Sequence, residues 1–303
     1  MQITRLDLDG TGSPEGLVTK ILKAEPGLAP PVPIEALAAA LDIIEIRELE
    51  AEGFEGSLLM DAHRSRGVIL VNKLARAGRR RFTIGHELGH FLIPMHRPVK
   101  NDAFLCSRDD MRLWSAAEQN AYERMEVEAN KFAALMLMPP PLLRPYLSRY
   151  GDPNIATVLR IHKDFEVSKD AAARAYTLYH GEPITMIVVH EGKVLRSYRA
   201  LKAPRLSVEQ GGLVPRSCIY WRTRGLTAIS QLEEASSDQW LISEWGKRPP
   251  ALYEQVLHQQ EGYALLMLWP EFEEEDDEFD PDADRTAKQR LSDRLARSWH
   301  GRY

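Results

Sequence analysis

The sequence predicts an α+β protein: a small sheet and two long helices in its first half, and a β-rich part after residue 182. Three observations carry this. Strand-like runs at 43–49 and 67–72 precede two long apolar-periodic segments, 82–93 and about 116–138. Prolines stop both segments, at Pro94 and at Pro139, Pro140 and Pro141. Beyond Glu182-Pro183, short β-type runs separated by glycine replace the helical period.

In chain order, a helix is expected at 14–23, then a proline-rich joint at Pro26, Pro30, Pro31 and Pro33. Pro33 sits where a helix start tolerates a missing N–H. The strand at 43–49 follows, then a turn bracketed by Gly53 and Gly56, the run Ser57-Leu-Leu-Met, and a buried strand at 67–72. Residues 95–111 read as a polar loop. Two short helices are expected between 154 and 180, with Ser168 as N-cap of the second. The C-terminal part opens with a hairpin, 184–190 and 193–198 around Glu191-Gly192. Further strands are expected at 217–222, 239–244 and 263–269. Boundaries then fall to give 1–145, 146–182, 183–270 and a tail, 271–303. The tail is an acidic run followed by a basic helix with Leu291, Leu295 and Trp299 at i, i+4 and i+8.

Bulk properties narrow the function classes. A net charge of −5 argues against a generally basic nucleic-acid coat. Two cysteines are too few for a disulfide framework and suit a reducing compartment. No secretory signal and no run of about 20 apolar residues is visible, so a cytoplasmic location is the expectation, with no membrane contact. Nothing in the sequence sets an oligomeric state.

The chemistry lies in His86-Glu87-Leu-Gly-His90. On a helix, residues four apart share a face, so both imidazoles can reach one ion while Glu87 projects beside it. Zinc held by three protein ligands keeps a position for water, and a neighbouring carboxylate can act as general base. Glu87 is that candidate. The third ligand is expected on the following helix. Glu126 lies on the edge of its apolar face with Asn130 one turn on, whereas Glu128 points more to solvent; Glu126 is preferred and Glu128 is the alternative. Asn130 is placed to hydrogen-bond a ligand histidine.

These segments resemble the ImmA/IrrE family of zinc metallo-endopeptidases. The resemblance rests on Gly53-Phe-Glu-Gly56, Val68-Ile-Leu-Val-Asn72, the stretch from Arg81 to His90, and Glu126-Val-Glu-Ala-Asn-Lys-Phe-Ala-Ala-Leu-Met-Leu-Met-Pro139. It implies a gluzincin-like domain over 1–145, with a three-stranded sheet over the zinc helices. It also implies zinc ligands His86, His90 and Glu126, Glu87 as catalytic base, and manganese as a substitute ion. The implied partner is a protein substrate, commonly a helix-turn-helix transcriptional repressor in stress-response control, cut once. If 67–72 were a sheet edge, an extended substrate could add to it. The alternative is a non-proteolytic zinc-fold protein that docks to a repressor or to DNA.

Residues 158–174 resemble the helix-turn-helix-like region of some relatives. Docking to DNA would use Arg160, Lys163, Lys169 and Arg174, but Asp164, Glu166 and Asp170 interrupt the positive charge. Direct DNA binding is therefore not expected, and a helical segment completing the fold is preferred. Some relatives carry a sensory domain of GAF type where this chain has its β-rich part; a domain that shapes access or dimerises is the plainer expectation. Cys106 reads as a small packed residue, or as a thiolate able to take zinc's fourth position. His96, beyond Pro94, reads as a loop histidine. Tyr122 and Arg174 are candidates for polarising a scissile carbonyl.

Overall fold

A computed structural model describes residues 1–51, 53–98, 103–107, 109–115, 120–242 and 248–272. The chain divides into two units, Met1–Pro270 and Glu271–Tyr303. Of the second, everything after residue 272 lies outside the described residues, including most of the acidic run and the helix expected at 287–299.

The first unit opens with α1 (Pro14–Ala24), capped by the Ser13 hydroxyl accepting from the Gly16 N–H, and α2 (Ile34–Ala40). Strands β1 (Ile43–Leu49), β2 (Gly56–Met60) and β3 (Gly67–Asn72) lead into α3 (Ala77–Leu92). Then come β4 (Ala103–Cys106), α4 (Ala121–Leu137), α5 (Pro140–Leu147), α6 (Ile155–Asp164) and α7 (Lys169–Tyr179). The predicted cap of α7 holds: Ser168 Oγ accepts from the Ala171 N–H at 3.0 Å. The helix expected from 116 is described from Ala121, with Asn120 as its cap; residues 116–119 lie outside the described residues.

Two expectations about the first sheet are corrected. It has four strands rather than three, in the order β1-β3-β2-β4. β3 is therefore interior, paired parallel to β1 and antiparallel to β2, and cannot be the edge a substrate adds to. The outer strand on the other side is β4, which among the described residues pairs only with β2, antiparallel. It falls in what reads as a polar loop because only four residues carry it.

The three arginines before the motif anchor α3 to different elements. Arg79 pairs with Glu55 at 2.9 Å, Arg80 with Glu48 of β1, and Arg81 donates to the Val32 carbonyl at 2.7 Å. At the other end Arg64 donates to the carbonyls of His90, Ile93 and Pro94, satisfying the last turn of α3.

The C-terminal part is a five-stranded sheet in the order β6-β5-β9-β8-β7: β5 (Thr185–His190), β6 (Lys193–Arg199), β7 (Glu233–Ala235), β8 (Ala251–His258) and β9 (Tyr263–Glu271). The β5–β6 hairpin turns at Glu191 (φ 50°) and Gly192 (φ 79°), the two positive φ values such a tight turn requires. The strand expected at 217–222 is instead the helix α8 (Ile219–Arg222). Of the one expected at 239–244, the first two residues end the helix α9 (Ser237–Trp240), Leu241 forms an isolated bridge to Leu206, and 243–244 lie outside the described residues. β8 was not expected, because Glu254 and Gln255 interrupt its apolar run. Both are buried yet satisfied: Glu254 accepts from the Ile219 N–H at 2.6 Å, and Gln255 accepts from the Ile155 N–H at 2.7 Å.

Alternation along the central strands splits the core. Met186, Leu265 and Met267 join the cluster built by α1 to α7 and the first sheet. Their neighbours Ile187, Leu266 and Leu268 join a second cluster with Ile219, Tyr220 and Trp240. The helical and β-rich parts of the first unit thus share one core. Among the described residues no helix is long and apolar enough to cross a membrane.

Candidate metal centre

The centre is built by α3, α4 and β4. α3 and α4 come close because small residues face each other. A Cβ on Gly85 would lie 3.2 Å from Ala133 Cβ, and one on Gly89 would lie 3.3 Å from Ala129 Cα. This contact brings the His86–His90 face of α3 against Glu126 of α4. All three side chains are buried. His86 Nε2 and His90 Nε2 are 3.1 Å apart; Glu126 Oε2 lies 3.2 Å from the first, and Glu126 Oε1 3.4 Å from the second.

The ring orientations follow from outer partners. Asn130 Nδ2 donates to the carbonyls of Asp110 (2.8 Å) and Leu113 (2.9 Å), so Oδ1 is the atom facing His86 Nδ1 at 3.0 Å. An oxygen can only accept there, so His86 carries its proton on Nδ1 and turns the Nε2 lone pair inward. His90 Nδ1 lies 2.9 Å from His96 Nδ1, and His96 Nε2 lies 2.9 Å from Glu128 Oε2. The consistent chain has His90 Nδ1–H donating to His96 and His96 Nε2–H donating to Glu128. The His90 ring also stacks on Phe104 of β4, with centroids 4.4 Å apart.

Two imidazole lone pairs and a carboxylate thus converge in a buried space. Glu126 Oε2 and both oxygens of Glu87 are enclosed with no hydrogen-bond partner among the described residues. Buried oxygens of this kind are satisfied by a cation or by a proton. Without a cation, the titrations are strongly displaced. Burial pushes the Glu87 carboxyl up to about 8. Burial pushes His90 down to about 3. Burial also opposes ionisation of Glu126, but the His86 and His90 rings beside it outweigh burial and hold this carboxyl down to about 2. A divalent ion would satisfy Glu126 and both imidazoles at once, and two histidines with one carboxylate form a set suited to zinc.

Residues 42–177 match the model of a peptidase family, the IrrE N-terminal-like domain. A relative described as the radiation response metalloprotease IrrE, from Deinococcus radiodurans, is 34% identical over 136 residues, covering 44% of this chain and 38% of that protein. Over residues 42–177 this chain is thus similar to a metallopeptidase family, and it spans well under half the length of the relative it matches. The solved structure of a Mycobacterium tuberculosis transcriptional regulator aligns over 88% of this chain and 74% of its own, at 12% identity and a TM-score of 0.48, too low to bear on function.

Within the matched segment, the other residues singled out in the sequence fall as follows. Glu128 does point away, its carboxylate being half exposed and bound to His96. His96 is not a simple loop histidine: it is fully enclosed and links His90 to Glu128, because the turn after Pro94 folds back under α3. Tyr122 sits one turn before Glu126, and burial beside that carboxylate pushes its hydroxyl upward. Arg174 lies over the Trp114 ring, 3.1 Å from its centroid, and burial lowers its pKa. Arg160 lies over Tyr150, and Lys169 reaches Gln259. Cys106 is brought into the cluster itself, with Sγ 3.3 Å from His86 Nε2.

Proposed function

We propose that this chain is a zinc-dependent endopeptidase that hydrolyses a peptide bond in a partner regulator protein, with a helix-turn-helix transcriptional repressor as the substrate class. The observation that carries it is the convergence of His86, His90 and Glu126 around unsatisfied buried oxygens, with Glu87 on the same helix turn. In this reading His86, His90 and Glu126 hold the ion and Glu87 is the general base. A gluzincin-type arrangement accounts for two ligands on one helix and the third on the next.

Zinc, when bound, supplies Lewis acidity to the scissile carbonyl and makes water a nucleophile at neutral pH. Glu87 takes the proton of the attacking water and passes it to the leaving amine. Its burial supports this role, since desolvation raises the affinity of the carboxylate for the proton it takes. Asn130 and the His96–Glu128 pair hold the two rings with their Nε2 atoms inward. An extended substrate would add to the outer strand β4, which carries Cys106 and Phe104 against the histidines.

One observation favours the rival reading of a non-proteolytic zinc-fold protein: Cys106 supplies a fourth buried donor, as closed structural zinc sites have. Incubation with the repressors encoded beside its gene separates the two. The endopeptidase yields a single new fragment, absent with chelator and absent with Glu87→Gln. Relief of repression by Glu87→Gln equal to that of the wild type would sink the proteolytic reading.

A further inference from the structure

The three-residue set leaves one enclosed donor unused. Cys106 ends β4 and is buried, and its sulfur and the ligand atoms of His86, His90 and Glu126 all lie within 4.8 Å of one another. Bonds of about 2.3 Å to sulfur and 2.0–2.2 Å to nitrogen or oxygen put neighbouring donors of a tetrahedral zinc site roughly 3.3–3.6 Å apart. The 3.3 Å between Cys106 Sγ and His86 Nε2 fits that spacing as well as the 3.4 Å between Glu126 Oε1 and His90 Nε2. A separate observation points to a ligand at the same place: Glu126 Oε2, enclosed and without a hydrogen-bond partner among the described residues, lies 3.2 Å from the same nitrogen.

The fold gives the sulfur this position through Gly56, which pairs with Cys106 across β2 and β4. A Cβ on Gly56 would come within 2.3 Å of Thr83 Cγ2 and 2.7 Å of Glu87 Oε1. Only a glycine lets the strand pair lie this close to the motif helix, and that closeness delivers the thiol to the histidines.

We infer that Cys106 is a fourth metal ligand, its sulfur holding the coordination position that hydrolysis requires for water, so that the resting enzyme is latent and opens when this sulfur leaves. The inference rests on the zinc reading above. Forming the sulfur–metal bond displaces water from the ion and releases the thiol proton to solvent; breaking it takes a proton back and readmits water. Since β4 pairs only with β2 among the described residues, the strand that would receive a substrate is also the strand that carries the block.

Cobalt(II) substitution of the purified full-length chain tests this by absorption spectroscopy alone. A thiolate-to-cobalt charge-transfer band in the near ultraviolet is expected in the wild type and retained by Cys218→Ser. In Cys106→Ser and Cys106→Ala it is lost completely while cobalt content stays unchanged. Since the chain has two cysteines, the wild-type and Cys218→Ser spectra decide the ligand even if the Cys106 variants fold poorly. Cobalt bound by the wild type with no such band would overturn the cysteine ligand and leave the three-residue site standing. A wild-type chain that takes up no cobalt would overturn both.

Discussion

Asn130 commits its amide nitrogen to two carbonyls, which leaves only its oxygen to meet His86. One side chain therefore decides which ring nitrogen of His86 carries the proton and which faces the centre. Replacing it with alanine removes that preference and leaves the Asp110 and Leu113 carbonyls short of a donor. Asn130→Ala should weaken zinc affinity by about 10–100-fold, the usual effect of losing such an outer partner; a competition titration against a chelator reads it, and unchanged affinity would contradict the tautomer argument. At this scale much was legible. His86, His90, Glu126 and Asn130 stand at helical spacings, and helical spacing alone says which of them share a face. His96 and Cys106 were less so, because a turn and a short strand carry them to the centre, and neither route has a periodic signature. His96 thus read as an ordinary loop residue.

Between elements, the separation of α3 and α4 sets whether one ion can be reached from both. Gly85 and Gly89 lie under Ala133 and Ala129, so the helices approach at the distance their backbones allow. Glycine costs a helix interior about 0.5–1 kcal/mol relative to alanine, so close packing here offsets a local penalty. Gly89→Val adds methyl groups where even a Cβ already lies 3.2 Å from Phe132 Cδ1 and 3.3 Å from Ala129 Cα. Overpacking of this kind should destabilise the chain by about 1–3 kcal/mol, seen as a lower denaturant midpoint, and should weaken metal binding by moving Glu126 from the histidines. A variant as stable as the wild type with full metal affinity would show that the helix contact does not position the ligands. The long helices were legible from their period and proline stops. β4 and β8 were not: one is four residues long, and the other carries a buried glutamate and glutamine whose partners lie far away in sequence.

Across the whole first unit, the β-rich part is tied to the peptidase-like part by shared burial. Met186, Leu265 and Met267 complete the core that α6 and α7 bound from the other side, and the Ile155 N–H meets Gln255 from a hundred residues away. A composition shift at residue 182 marks a change of secondary structure, and it carries no information about which strands share a core with which helices. That is why the β-rich part was legible as strands while its pairing order was not. The metal centre joins three elements of this unit, so ion binding is coupled to folding. Metal analysis of the full-length chain, purified without chelator, bears most directly on the account: about one zinc per chain is expected for the wild type, and none for His90→Ala folded as judged by circular dichroism. Zinc retained at wild-type level by His90→Ala, or absent from the wild type, would contradict it.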